Sequence, residues 1–307
     1  MADRVPVAVL ILNWNGKNVL DECLSSWQNS DPAPATVLVV DNGSADGSVE
    51  MVREKYPSVQ LLALGENRGF SGGNNAGFRA LEGRGFEAVF VCNNDTEVAP
   101  DMLGLLWKAL EANPSWGIVG PKILFHGTRR VWFLGGYISR LTGNPGHFRY
   151  GREDDAAGEP FELGATGFVT GCGLLIRLDL ARQLGYFDEK RFSPIYAEDS
   201  DLCFRAREAG IASAVVPAVV MTHKVSMTMG VGSPRSMYLI TRHSLELVSR
   251  HGIGLFPGAW VLTVVVFVAV VCGWRIARTV VQGRFAVSRA IIMGIVDYLA
   301  RRKSKVV

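Results

Sequence analysis

The first 120 residues of this 307-residue chain hold five short apolar runs separated by stretches of helical periodicity. The runs at 7–12, 36–40, 59–64, 88–92 and 117–119 are rich in Val, Ile and Leu and lack polar alternation, so they read as strands buried on both faces. Between them, residues 19–27, 48–56, 74–81 and 101–111 carry helical spacing. Strand–helix alternation of this length predicts a parallel α/β sheet flanked by helices. Such a sheet takes its ligands at the carboxyl ends of its strands. Polar clusters stand there: Asn13-Trp14-Asn15, Asp41-Asn42-Gly43-Ser44 and Asn93-Asn94-Asp95.

The pattern then changes. Residues 122–163 are Gly-rich and aromatic and read as loops and hairpins, and 164–177 as a strand pair. A helix is expected over 199–209, with an acidic first turn that suits the helix dipole, then a strand over 213–220 followed by His223. Residues 253–274 carry no charge, and their 22 residues are enough to cross a bilayer. Pro257 and two glycines weaken a helix at the start of that stretch. Beyond it, Val280, Val287, Ile291, Ile295 and Leu299 share a helical face opposite Arg278, Gln282, Arg289, Asp297 and Arg301, the pattern of an interfacial amphipathic helix.

Charge supports a membrane surface. The whole chain is +3, too little to suggest nucleic acid, yet from Arg275 onward eight basic residues face one acid, Asp297. The bland alternative packs both C-terminal segments on the rest of the protein. No signal-peptide pattern opens the chain, and the five scattered cysteines suit a reducing compartment, so a cytoplasmic catalytic domain is expected.

Common nucleotide motifs are absent. The first turn reads Asn13-Trp14-Asn15-Gly16 rather than Gly-x-Gly-x-x-Gly, and Gly16-Lys17 lacks the rest of a P-loop. Gly69-Phe70-Ser71-Gly72-Gly73 matches a hydrolase nucleophile elbow, with Asp199 and His223 downstream. It follows the third strand instead of the fifth, which leaves an α/β hydrolase using Ser71 as the runner-up. Acids at strand ends offer different chemistry. Asp41 and Asp95 can accept from a nucleobase imide and hold a cation on a diphosphate, although each also reads as a turn or cap residue. Glu198, Asp199 and Asp201 are three acids within four residues, either a solvated face or the source of a general base. His223 alone reads as structural.

Taken in order, these segments resemble a known family. Leu12-Asn13-Trp14-Asn15-Gly16, Val40-Asp41-Asn42-Gly43-Ser44-Ala45-Asp46-Gly47-Ser48, Glu66-Asn67-Arg68-Gly69-Phe70-Ser71-Gly72-Gly73-Asn74-Asn75-Ala76-Gly77 and Asn93-Asn94-Asp95-Thr96 are similar to family 2 glycosyltransferases, above all the rhamnosyltransferase-like branch. So are Gly185-Tyr186-Phe187-Asp188-Glu189, the 196–205 segment around Glu198-Asp199, and His223. The resemblance covers about residues 5–230.

It implies a GT-A fold, a mixed sheet flanked by helices, and inverting sugar transfer. By matching position, Asp41 would accept from the nucleobase, and Asn13, Asn15, Asn67, Arg68, Gly73, Asn74, Asn93 and Asn94 would line the nucleotide sugar. Asp95 and His223 would hold Mg²⁺ or Mn²⁺, with Asp199 as base and Glu198 beside it. Asn93 stands where the family's motif has its first Asp, so one charge is missing and cation affinity should fall. The resemblance gives dTDP-rhamnose as first-choice donor and a lipid-linked or cell-surface glycan as acceptor. A nucleotide-sugar-binding protein without turnover is the non-enzymatic alternative. The expected organisation is a catalytic domain over 1–250, with halves 1–121 and 122–250, and a membrane-associated region over 251–307. A monotopic arrangement on the cytoplasmic face of the plasma membrane is expected, because a single span would place the +7 tail outside. A single pass is the alternative.

Overall fold

The computed structural model describes residues 4–154, 164–225 and 232–302. Lys303 and Lys305 of the basic tail, and part of the 122–163 stretch, lie outside the described residues.

The N-terminal half alternates as expected: β1 (Arg4–Asn13), α1 (Lys17–Gln28), β2 (Ala33–Asp41), α2 (Ser48–Lys55), β3 (Gln60–Ala63), α3 (Gly69–Leu81), β4 (Ala88–Asn93), β5 (Thr96–Val98) and α4 (Met102–Ala112). The second half supplies β6 (Trp116–Phe125), β7 (Val131–Phe133), β8 (Gly136–Ile138), β9 (Pro145–His147), β10 (Gly164–Ala165), β11 (Gly173–Arg177), α5 (Leu178–Leu184), α6 (Glu198–Glu208), β12 (Ala212–His223) and α7 (Pro234–Arg250). The main sheet runs β10-β12-β6-β11-β4-β1-β2-β3. Strands β1 to β4 are parallel, whereas β11 is antiparallel to β4 and β6. The buried apolar runs of β1 and β4 form the centre of the core.

Three expectations change. Helix α3 starts at Gly69 rather than 74, despite the glycines. A Cβ on Gly73 would come within 2.4 Å of Leu12, and one on Gly77 within 2.3 Å of Leu10, so glycine lets α3 lie directly on β1. The expected 164–177 strand pair does not form: β10 pairs with β12, and β11 with β4 and β6. Part of the supposed loop region is strand, because β6 continues through Pro121 to Phe125 beside β12.

C-terminally, the uncharged stretch enters its helix only at Trp260, after Pro257 and Gly258, and the helix runs to Val281. Its 22 residues span about 33 Å. By length and composition it is the one candidate membrane span among the described residues. The terminal helix, Phe285–Leu299, has an unexpected inner face. Val287 and Ile291 are buried with Leu245, Phe267 and Cys272, and Ala290 with Tyr238 and Leu239. Asp297 is buried too, accepting from the Tyr238 hydroxyl at 3.0 Å. The exposed face is apolar all the same: Phe285, Ile292, Val296 and Leu299 project outward beside Arg289. Sequence periodicity chose the wrong stripe because this helix is apolar on two sides.

Candidate active site

Parallel register brings the polar strand ends together. Asn13 lies beside Asp41, and Leu12 beside Asn93. Asn13 is fully buried and links the three clusters. Its amide donates to Asp41 Oδ2 at 3.1 Å and to Ser44 Oγ at 3.2 Å, and its carbonyl accepts from Asn94 at 2.7 Å. Asn15 holds the same turn by accepting from the Ala45 backbone at 2.8 Å. Asp41 also accepts from the Ser44 backbone at 2.9 Å. Each of its oxygens keeps a lone pair for a ligand.

Asn42 was not singled out from sequence, but it joins this turn to the next loop. It donates to Asn67 Oδ1 and the Gly69 carbonyl, and accepts from the Arg68 backbone at 2.9 Å. Asn67 and Arg68 are thereby fixed on the rim and exposed. Gly73 makes no recess for a ligand; as described above it faces Leu12, so its role is packing. Asn74 is buried and donates to the Phe70 carbonyl, and its own Oδ1 has no partner among the described residues. Ser71 is 0% exposed within α3. A hydroxyl shut away from solvent cannot serve as a hydrolase nucleophile, and His223 sits against Asp95 instead.

That second contact comes from β5 pairing with β12, which sets His223 opposite Thr96. His223 Nε2 lies 3.0 Å from Asp95 Oδ1 without hydrogen-bond geometry, so this buried carboxylate oxygen has no donor among the described residues. Trp132 packs edge-on against the imidazole at 4.6 Å. An orphaned carboxylate oxygen next to an imidazole nitrogen suits a divalent cation completed by ligand oxygens. Among the described residues no group of three or more His, Cys, Asp or Glu side chains is arranged to hold a metal alone. Asn93 lies half-buried at the end of β4.

Asp199 stands in the first turn of α6, across from this pair. It accepts from the Gly171 backbone at 3.0 Å and from the Ser200 backbone at 2.6 Å. Gly171 precedes β11, which lies antiparallel on β4. The thiol of Cys172 therefore sits among the acids: burial, then Asp95, Cys23 and Asp199, push its ionisation well up. Two left-handed residues, Tyr196 and Ala197, precede the helix. For residues other than glycine each costs on the order of 1–3 kcal/mol. His243 of α7 supports them, its Nδ1–H donating to the carbonyls of Ile195 at 3.0 Å and Tyr196 at 3.1 Å. Burial lowers the His243 pKa to about 4, so this imidazole is neutral. Neither α7 nor His243 was legible in the sequence.

Glu198 is only 4% exposed, and its Oε2 has no partner among the described residues. Burial and neighbouring Asp199 push its pKa well above the usual value of 4.5. Above that value the unfolded chain releases this proton while the folded chain keeps it, so the site costs stability as pH rises. Glu198→Gln is expected to melt above wild type at neutral pH, with the two melting points converging as pH falls to 4.5. Parallel melting curves across that range would show that Glu198 ionises normally.

A sequence profile, Glycosyl transferase family 2, matches residues 8–185. The chain belongs to this family. The glycosyltransferase is similar to N-acetylglucosaminyl-diphospho-decaprenol L-rhamnosyltransferase of Mycobacterium tuberculosis, with 30% identity across 85% of this chain and 90% of that protein. It is also similar to the low-salt glycan biosynthesis hexosyltransferase Agl10 of Haloferax volcanii, with 25% identity over 67% of this chain and 62% of the relative. Its fold is GT-A. A mannosyltransferase from Pyrobaculum calidifontis, solved with GDP-Man and Mn²⁺, superposes with a TM-score of 0.62 at 18% identity, covering 97% of this chain and 88% of that one. S. aureus TarS gives 0.56 at 15% identity over 85% and 70%.

Proposed function

We propose that this glycosyltransferase moves rhamnose from dTDP-rhamnose to a hydroxyl of a lipid-linked glycan at a membrane surface, with inversion. The observation that carries the reading is the convergence of Asp41, Asp95 with His223, and Asp199 on one end of the sheet. The mycobacterial relative, named for rhamnosyl transfer to a diphospho-decaprenol-linked sugar, supports the choice of donor and acceptor.

Asp41 accepts from the imide N–H of a thymine or uracil ring, within a turn fixed by Asn13, Asn15 and Asn94. Asn67 and Arg68 line the nucleotide sugar, and Asn74, expected there from sequence, is buried within α3 beneath them. Asp95 and His223 would hold a divalent cation, Mg²⁺ or Mn²⁺, which would supply charge neutralisation on the leaving group without proton transfer. Asp199 takes the proton of the acceptor hydroxyl as that oxygen bonds to the anomeric carbon. The bond from that carbon to the diphosphate breaks, and the nucleoside diphosphate leaves with the electron pair. Glu198, held protonated, keeps a second negative charge away from the base. Residues 1–250 carry this chemistry and 251–307 the membrane contact.

A nucleotide-sugar panel tests the donor. Turnover of dTDP-rhamnose above all others is expected, with dTDP or UDP binding more tightly than GDP. Tighter GDP binding would overturn the assignment of the base.

Membrane contact is monotopic in this reading. Val261, Leu262, Val265, Val270 and Trp274 are exposed on the long helix, which lies along the 139–144 turn through bonds from Thr263 and Arg275. Apolar side chains enter the cytoplasmic leaflet and the arginines meet anionic headgroups. The full-length protein is expected to stay with membranes in high salt and leave them in detergent. Release by salt alone would rule out burial of the apolar face.

A further inference from the structure

Arg275 is one of two cations on the long apolar helix; Arg278 stacks on Trp274, whereas the charge of Arg275 has no counterpart among the described residues. One guanidinium nitrogen, Nη2, donates to Asn144 Oδ1 at 2.8 Å. The other, Nη1, is buried without a hydrogen-bond partner, and among the described residues no carboxylate pairs with Arg275. A guanidinium on a membrane-facing helix is costly without an anion and marks a functional site by default. Its planar donors suit phosphate oxygens in particular.

Asn144 gives that charge an address. It lies one residue before β9, and His147 ends that strand, three residues or about 10 Å of chain away. The His147 ring packs on Trp132 at 5.1 Å, and Trp132 packs on His223 of the cation pair. The β8–β9 hairpin therefore runs from beside the cation pair to Arg275, which follows the exposed Val261, Val265, Val270 and Trp274 on the long helix.

We propose that Arg275, oriented by Asn144, is a subsite for a lipid-borne diphosphate: the diphosphate joining the acceptor sugar to its polyprenyl chain. This rests on the lipid-linked acceptor proposed above. The sugar reaches Asp199 along the hairpin, the diphosphate meets the guanidinium, and the chain continues over the outward valines into the leaflet.

The test is binding of farnesyl diphosphate and of farnesol, its uncharged counterpart, to the full-length protein in neutral detergent micelles. Saturating dTDP and Mg²⁺ keep the diphosphate out of the donor site. Wild type is expected to bind farnesyl diphosphate at least about tenfold more tightly than farnesol. Arg275→Gln is expected to erase that preference, Arg275→Lys to restore part of it, and both to leave donor binding unchanged. Equal affinity of wild type for the two probes, or an Arg275→Gln variant that keeps the preference, overturns the proposal. Anionic phospholipid in the micelles is expected to compete weakly; if it competes as well as farnesyl diphosphate, Arg275 is a bulk-lipid contact and the proposal fails. Wild type that prefers farnesyl diphosphate yet transfers no sugar to a prenyl-diphosphate-linked acceptor refutes the function proposed above while leaving the subsite standing.

Discussion

Asp199→Asn is expected to keep its fold and its donor affinity and to lose about 10²- to 10⁴-fold in turnover, the usual range for a general base. The substitution is nearly isosteric, and the single carbonyl oxygen of Asn keeps one of the two backbone bonds that fix Asp199, from Gly171 to Oδ2 or from Ser200 to Oδ1. What it cannot do is take a proton from a sugar hydroxyl. The loss should therefore appear in kcat, with the KM for the donor unchanged, because the interaction is made as the proton moves. If the purified variant keeps more than about half of wild-type turnover, Asp199 is not the base.

Removing divalent cations is expected to have the second-largest effect. Charge on a departing diphosphate is worth several kcal/mol of transition-state stabilisation, so exhaustive chelation should cost about 10²-fold or more. Among the described residues the site offers one carboxylate, Asp95, and one imidazole, His223, with Asn93 adding no charge. Cation affinity should therefore be weak in the free protein and rise when dTDP is present, and by linkage the cation should tighten dTDP to the same degree. Asp95→Asn should lose this mutual tightening while folding normally. Full activity after chelation, confirmed by metal analysis, would sink the cation reading.

The sequence exposed much of this site because the chemistry-bearing residues are local in the chain. Asn13, Asp41 and Asn93 end strands whose buried apolar runs are unmistakable, and parallel register then brings them together. His223 needed the family resemblance, since only the distant pairing of β5 with β12 sets it against Asp95. The start of α3 was hidden by helix propensity: Gly69, Gly72 and Gly73 read as a loop, yet the close packing of Gly73 on Leu12 outweighs their backbone entropy. Helix α7 was hidden by its polarity. Thr241, Arg242, His243 and Ser244 look solvent-facing and are all buried. Arg242 and His243 find their partners in backbone carbonyls far away in sequence, those of Arg191 and Arg302 and of Ile195 and Tyr196. The terminal helix misled for a related reason. Asp297 marks a polar stripe in the sequence, but Tyr238 and Arg302 satisfy it inside the protein.

The two-faced terminal helix bears on how an enzyme of this build can evolve away from the membrane. Deleting the C-terminus would strip cover from Tyr238, Leu239 and Leu245 and so loosen α7, the helix whose His243 braces the approach to Asp199. A lineage that lost those residues would lose the brace on the Asp199 approach along with the proposed membrane contact. Point substitutions at Phe285, Ile292, Val296 and Leu299 touch only the outward stripe. On the membrane contact proposed above, relocation to the aqueous phase is thus open to gradual exchange of outward residues on this helix and on Trp260–Val281 and closed to a single truncation, which would tie that contact to the catalytic body as one heritable unit.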